Sequence, residues 1–170
     1  MTTKRWIWDP FVRLFHWSLV IGIVLNEMVL EEGRTNHRYV GYFLGGLVVA
    51  RVIWGFIGSH HARFAHFVPG PRRFKAYIQQ LWKGEHPKYE GHNPAGGAMI
   101  VALLFLVFMT SLTGYLLTTD TFWGDDLMHG IHSFFANAIL VFAGVHIAAV
   151  FWTMHKTGER LVRAMITGRK

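Results

Sequence analysis

The sequence contains no cysteine and only 10 acidic residues in 170. The first absence excludes disulfides, thioether attachment of haem, thiolate metal sites and cysteine-held iron–sulfur clusters. The second leaves 17 lysines and arginines in excess, a formal charge of +7. Strand-like alternation of apolar and polar residues is missing too, which argues against a β-barrel. No cleavable signal peptide is expected, because 1–13 is polar and the apolar block after it lacks a small-residue cleavage motif. What the chain has in abundance is apolar surface. It is 52% hydrophobic and 15% aromatic, with a mean hydropathy of +0.27, the composition of a membrane protein. The positive charge does not point to nucleic acid, since the basic residues fall between apolar blocks and near the C-terminus rather than on one compact face.

Four apolar runs, at about 14–30, 37–58, 95–118 and 129–154, each approach the ~20 residues a helix needs to cross hydrocarbon. One domain over 1–170 is expected, an all-α integral membrane four-helix bundle. Gly41, Gly45, Gly46, Gly96, Gly97 and Gly114 are placed to allow close helix contact. Lys4, Arg5 and Arg13 precede the first run, six lysines and arginines occupy 59–94, and Lys156, Arg160, Arg163, Arg169 and Lys170 follow the last. The opposite turns carry Glu31 and Glu32 against Arg34 and Arg38, then Asp120, Asp125 and Asp126. The positive-inside rule predicts both termini and the 59–94 loop in the cytoplasm of a bacterial inner-membrane protein. Within that loop "RRFKAYIQQLWKG" predicts a short interfacial helix with Phe74, Tyr77, Ile78 and Leu81 on one side.

In "IHSFFANAILVFAGVH" two histidines, His132 and His146, lie fourteen residues apart, about 21 Å along a helix and about 40° around it. They can serve two sites, one above the other. The predicted topology puts His16 at the depth of His146 and His37 at the depth of His132. A facing pair of histidines at each depth is the donor set for bis-imidazole ligation of a haem iron. Iron with both axial positions filled suits electron transfer. Mononuclear zinc is a poorer candidate, because each layer offers two ligands where about four are usual. Each histidine singly could instead be a packing group or part of a proton path.

Haem propionates need cationic partners. Arg34 and Arg38 flank His37, Arg13 precedes His16 by three residues, and Arg51 follows His37 by fourteen on nearly the same face. Arg51 could otherwise snorkel to water. Glu27 admits three roles: bonding a ligand histidine, relaying protons at a quinone site, or lying in the headgroups. His60, His61, His66, His86, His92, His129 and His155 are read as solvated or interfacial side chains, any of which could border a quinone site.

The stretches "WDPFVRLFHWSLVIGIVL", "NHRYVGYFLGGLVVARVIWGFIG", "GHNPAGGAM" and "HSFFANAILVFAGVHIAAVFW" together resemble the bacterial cytochrome b561 family, which includes the cytochrome b subunits of nickel-iron hydrogenases. The resemblance covers essentially the whole chain. It implies a four-helix core with two haem b groups, the inner held by His16 and His146 and the outer by His37 and His132. The ending "GERLVRAMITGRK" looks like that of stand-alone relatives. Ser133 stands where relatives often carry an acidic residue, and the chain has four spans, departures that weaken a hydrogenase-anchor assignment.

The expected function is single-electron transfer across the membrane between the quinone pool and a periplasmic cytochrome or other redox protein, with a quinone as substrate if the chain is an enzyme. The alternatives are an anchor and electron outlet for a larger dehydrogenase or reductase, with "WGDDLMH" as docking surface, and, in a different class, haem or metal transport or assembly. Electron direction, haem potentials and oligomeric state, a homodimer included, are not written in the sequence.

Overall fold

The computed structural model describes residues 6–169. The positive charges assigned to Lys4, Arg5 and Lys170 therefore lie outside the described residues. Helices α1 (Pro10–Met28), α2 (Thr35–Ile57), α5 (Pro94–Leu116) and α6 (Asp126–Thr157) are each long and apolar enough to cross a membrane. Between α2 and α5 lie a single 3₁₀ turn, His60–Ala62, the one-turn α3 (Phe64–Phe67) and α4 (Pro71–Trp82); α7 (Leu161–Thr167) ends the chain. The protein is an all-α integral membrane helical bundle.

Local chemistry sets the helix starts. Asp9, Asn93 and Asp125 cap α1, α5 and α6 by accepting from the amides of Val12, Gly96 and Met128 at 2.9, 2.7 and 2.7 Å. Pro10, Pro71 and Pro94 occupy first helical positions, where the missing N–H costs nothing. These caps start α1 and α6 several residues before the expected apolar runs. At 32 residues, α6 is about 48 Å long and outreaches the ~30 Å hydrocarbon layer.

The four long helices pack in sequence, α1 on α2, α2 on α5 and α5 on α6, while no comparable packing joins α6 to α1 or to α2. The core cluster of Phe15, Leu44, Val48, Leu104, Leu106, Val107 and Ile139 fills the packed side. An open seam is left along α6. Exposed Phe134, Val141 and Phe151 on α6 are suited to lipid.

A smaller cluster of Ile7, Trp8, Val12, Ala62 and Ala164 gathers both chain ends and the 59–63 turn at one end of the bundle. The amides of Ile7 and Trp8 donate to the Gly168 carbonyl at 2.9 and 3.2 Å, tying the N-terminal segment to the end of α7. α4 forms where the interfacial helix was expected, packs against α5, and buries Tyr77 while Trp82 is 85% exposed. Burial, and then the neighbouring Tyr89, push the Tyr77 phenol up.

Of the glycines expected to permit close approach, Gly45 meets Ser111, Gly97 meets the Phe67 carbonyl and Gly114 meets His132. Gly46 is a correction: a methyl group there would meet nothing within 4 Å, because it lies on the unpartnered face of α2. At Gly97 a Cβ would fall 2.2 Å from a backbone oxygen that cannot swing aside. Gly97→Ala is therefore expected to lose about 1–3 kcal/mol as α3 is forced off α5; a melting curve indistinguishable from wild type would refute that packing.

Candidate functional site

The four histidines fall on the two borders of the open seam. His37, third residue of α2, faces His132 on α6 with ring centroids 6.4 Å apart and planes at 72°. Two imidazole nitrogens at about 2 Å from one metal, with each ring centre about 1 Å further out, would sit about 6 Å apart. The observed separation therefore leaves room for one metal ion between the two rings.

His132 is oriented by α5. Its Nδ1 lies 3.1 Å from the Thr110 carbonyl and 3.1 Å from Thr113 Oγ1, which itself donates to the Met109 carbonyl at 2.8 Å. With Nδ1–H donated to a carbonyl, the lone pair is left on Nε2, the state a metal ligand needs. Gly114 gives the ring room, since a Cβ there would stand 2.9 Å from its Cε1. Asn26 on α1 donates to the His37 carbonyl at 3.2 Å, and Nδ1 of His37 is buried with no hydrogen-bond partner. Glu27 stands within electrostatic reach of His37.

The second pair is His16, seven residues into α1, and His146 in the latter half of α6. They lie within electrostatic reach of one another, and Nδ1 of His16 is likewise buried without a partner. Trp17 packs edge-on to His16 at 5.1 Å. Unpartnered buried nitrogens cost about 1–3 kcal/mol each, a penalty that ligation or a bond to a bound group removes. Among the described residues no cluster of three or more His, Cys, Asp or Glu could hold a metal ion. The chain thus offers pairs of imidazoles across a gap, a donor set suited to a metal that brings its own macrocycle.

The arginines divide. Arg51 is 2% exposed, so its guanidinium does not snorkel. Nη2 donates to the Ala62 carbonyl at 3.0 Å, Phe64 and Phe67 stack at 5.3 and 5.7 Å, and Nη1 is buried with no partner. Arg13 donates to the Ile166 carbonyl of α7 and keeps a buried, unpartnered Nε. Each retains one buried donor for an anion. Arg34 is instead in an exposed ion pair with Glu31 at 2.7 Å, and Arg38 lies 5.5 Å over Trp123. Among the described residues, neither of these side chains makes a hydrogen bond or ring contact with His37 or His132.

A polar clamp beneath α1 escaped the sequence reading. Asp9 Oδ2 accepts from Trp54 Nε1 at 3.2 Å and from the Ser59 hydroxyl, while Oδ1 caps α1. Burial alone would raise the Asp9 pKa, but the bonds from Ser59, Val12 and Trp54 and the charge of Arg51 outweigh it and hold the carboxyl below its ordinary value. Asp9 thereby supplies Arg51 with an anion from the protein itself. The only signal in the sequence was the aspartate before a proline that opens a helix. Of the other histidines, His60 stacks on His66 at 3.8 Å and meets His61 at 5.1 Å. His61 is held below its ordinary pKa by burial and by the charges of His60 and His66, against a smaller opposing effect of Glu90. His92 packs between Trp8 and Phe67, and His86 against Trp152. His129 and His155 are exposed.

Comparison with known proteins gives a consistent result. The profile described as prokaryotic cytochrome b561 matches residues 7–168. The chain is 24% identical to a probable Ni/Fe-hydrogenase B-type cytochrome subunit of Rhodobacter capsulatus, over 99% of this chain and 82% of the relative. It is 25% identical to the protein of the same description from Azotobacter vinelandii, over 98% and 88%, and 28% identical to that of Azotobacter chroococcum mcd 1, over 74% and 65%. No solved structure matches. With four apolar spans, paired histidines across an open seam and a profile match over nearly its whole length, the chain belongs to the prokaryotic cytochrome b561 family of membrane electron-transfer proteins.

Proposed function

We propose that this inner-membrane protein holds two haem b groups, one between His16 and His146 and one between His37 and His132, and passes single electrons between the quinone pool and a periplasmic redox partner. The observation that carries this is the facing of His37 and His132 beside the seam that helix packing leaves open, with His16 on α1 and His146 on α6 within electrostatic reach of one another. When bound, each haem supplies one-electron iron chemistry. The chain's own residues do the rest. The imidazoles would hold each group from two helices, a donor set that suits electron transfer rather than the binding of oxygen or substrate. Thr110 and Thr113 hold His132 in the ligating tautomer. Arg51 Nη1 and Arg13 Nε are buried donors available to propionates on the side of the termini. The apolar helix faces exclude water. The charge asymmetry of the loops supports placing that side in the cytoplasm.

A second reading, the electron outlet of a larger complex, is favoured by the similarity to probable Ni/Fe-hydrogenase B-type cytochrome subunits. Exposed Asp125 and Asp126, beside exposed Trp123, are available for docking on the far side. Both readings require the same haems. Purified full-length chain is expected to yield two haem b per polypeptide as the pyridine complex, both reducible and reoxidisable, with one or none defeating the assignment. Reduction by a soluble cytochrome on one face of sealed vesicles and by quinol within the bilayer would favour the first reading; reactivity only with a bound dehydrogenase favours the second.

A further inference from the structure

Beside the chain ends the structure forms a cleft of about 680 Å³ that the histidine pairs do not use. Its walls come from three separate parts of the chain: Trp6 near the N-terminus, Lys88 from the segment before α5, and the 158–169 stretch with Arg160, Arg163 and Arg169. Against these four cations the lining offers one carboxylate, Glu159. All four are exposed, and among the described residues none of them is in an ion pair. Four like charges around one cavity repel one another, and an anion shared among them relieves that repulsion.

The cleft is constructed rather than incidental. Gly158, at φ 70°, ends α6 and turns the chain into the wall. Arg169 is steadied by Trp6, whose ring lies 4.6 Å from its guanidinium. Thr167, which also lines the cleft, donates from Oγ1 to the Arg163 carbonyl at 3.0 Å. Depth identifies the anion's source. The cleft opens just past the end of α6, where Lys156 lies 5.0 Å over Trp152 in the manner of a membrane–water border. On α7 the exposed aliphatic side chains Val162 and Ile166 flank Arg163. Cations directly beside exposed aliphatic surface at that depth match a phosphate joined to acyl chains, and basic pockets at helix ends are the usual seats for such headgroups.

We infer that this cleft binds the phosphodiester headgroup of an acidic phospholipid from the leaflet on the side of the chain termini. Lys88, Arg160, Arg163 and Arg169 supply charge-assisted donors, and Val162 and Ile166 border the acyl chains. The site needs no haem, so its failure and that of the electron-transfer reading are separable.

The test is native mass spectrometry of the full haem-loaded protein released from micelles containing equal amounts of cardiolipin and phosphatidylcholine. Wild type is expected to retain cardiolipin selectively. Arg160→Gln with Arg163→Gln is expected to weaken that retention roughly thirty-fold, with haem content and helicity unchanged. Lys88→Gln with Arg169→Gln, on the other walls, is expected to do the same and decides the matter if the first pair perturbs α7. Equal retention of the two lipids, or undiminished cardiolipin in a folded variant, overturns the site. Displacement of cardiolipin by excess inorganic phosphate would assign the cleft to a soluble phosphate and overturn the lipid assignment.

Discussion

Alanine at His146 is expected to remove the haem on the side of the chain termini, about half of the total, and to lower electron passage across the membrane on the order of a hundred-fold or more. Loss of a group that merely orients a metal ligand already costs about 10–100-fold in affinity or activity, and a ligand itself costs at least the upper end of that. Alanine at His37 is expected to remove the other haem and to spare the first. The helices survive in both cases because the packed core runs through Phe15, Leu44, Val48, Leu104 and Ile139 and includes none of the histidines. Haem content, low-spin absorption and helicity measured together separate the outcomes. Retention of both haems in either variant sinks the pairing; loss of one with full helicity supports it. Haem added back together with imidazole should restore the low-spin spectrum of the His146 variant, which general unfolding could not explain.

Much of this site can be read from the chain because two of its determinants are one-dimensional. Length and apolarity pick out α1, α2, α5 and α6 without reference to any neighbour. The fourteen residues between His132 and His146 become a depth difference once the segment is helical. What cannot be read is whatever depends on which helices touch. Arg51 shows this: its position on the face of His37 suggested a propionate or a path to water, whereas the Ala62 carbonyl takes one of its arms and Asp9, forty-two residues away, lies within electrostatic reach of it. Arg34 and Arg38 lie near His37 in sequence but turn to Glu31 and Trp123. The bonds from Thr110 and Thr113 to His132 cross between α5 and α6 at separations of 22 and 19 residues. Nothing periodic announces them. α7 is too short to stand out by periodicity, and its docking under α1 rests on Ala164 and on the Arg13 bond to Ile166.

Asp9 is where these unannounced contacts converge, so its removal is the second large effect expected. Alanine there deletes the cap of α1, worth about 1 kcal/mol. It also leaves the Trp54 N–H and the Ser59 hydroxyl without their acceptor, at about 1–3 kcal/mol for a half-buried donor set. The sum, about 2–4 kcal/mol, should appear as a markedly lower melting temperature. Asparagine keeps the cap through Oδ1 but places an NH2, which cannot accept, where Oδ2 took the bonds from Trp54 and Ser59, and it removes the charge; Asp9→Asn should therefore melt between wild type and alanine. The pH dependence has a fixed sign. The folded pKa of Asp9 is depressed, so the unfolded chain takes up the proton first. Its contribution is fully present above the ordinary carboxylate value of about 3.9 and is lost as pH falls through the lower folded value. Wild type should therefore lose its advantage over Asp9→Asn below about pH 4, while the two stay a constant interval apart near neutrality. A gap that instead widened on acidification would mean the carboxyl is protonated in the folded protein. In that case the clamp to Ser59, Trp54 and Arg51 could not be what fastens the start of α1 to the end of α2.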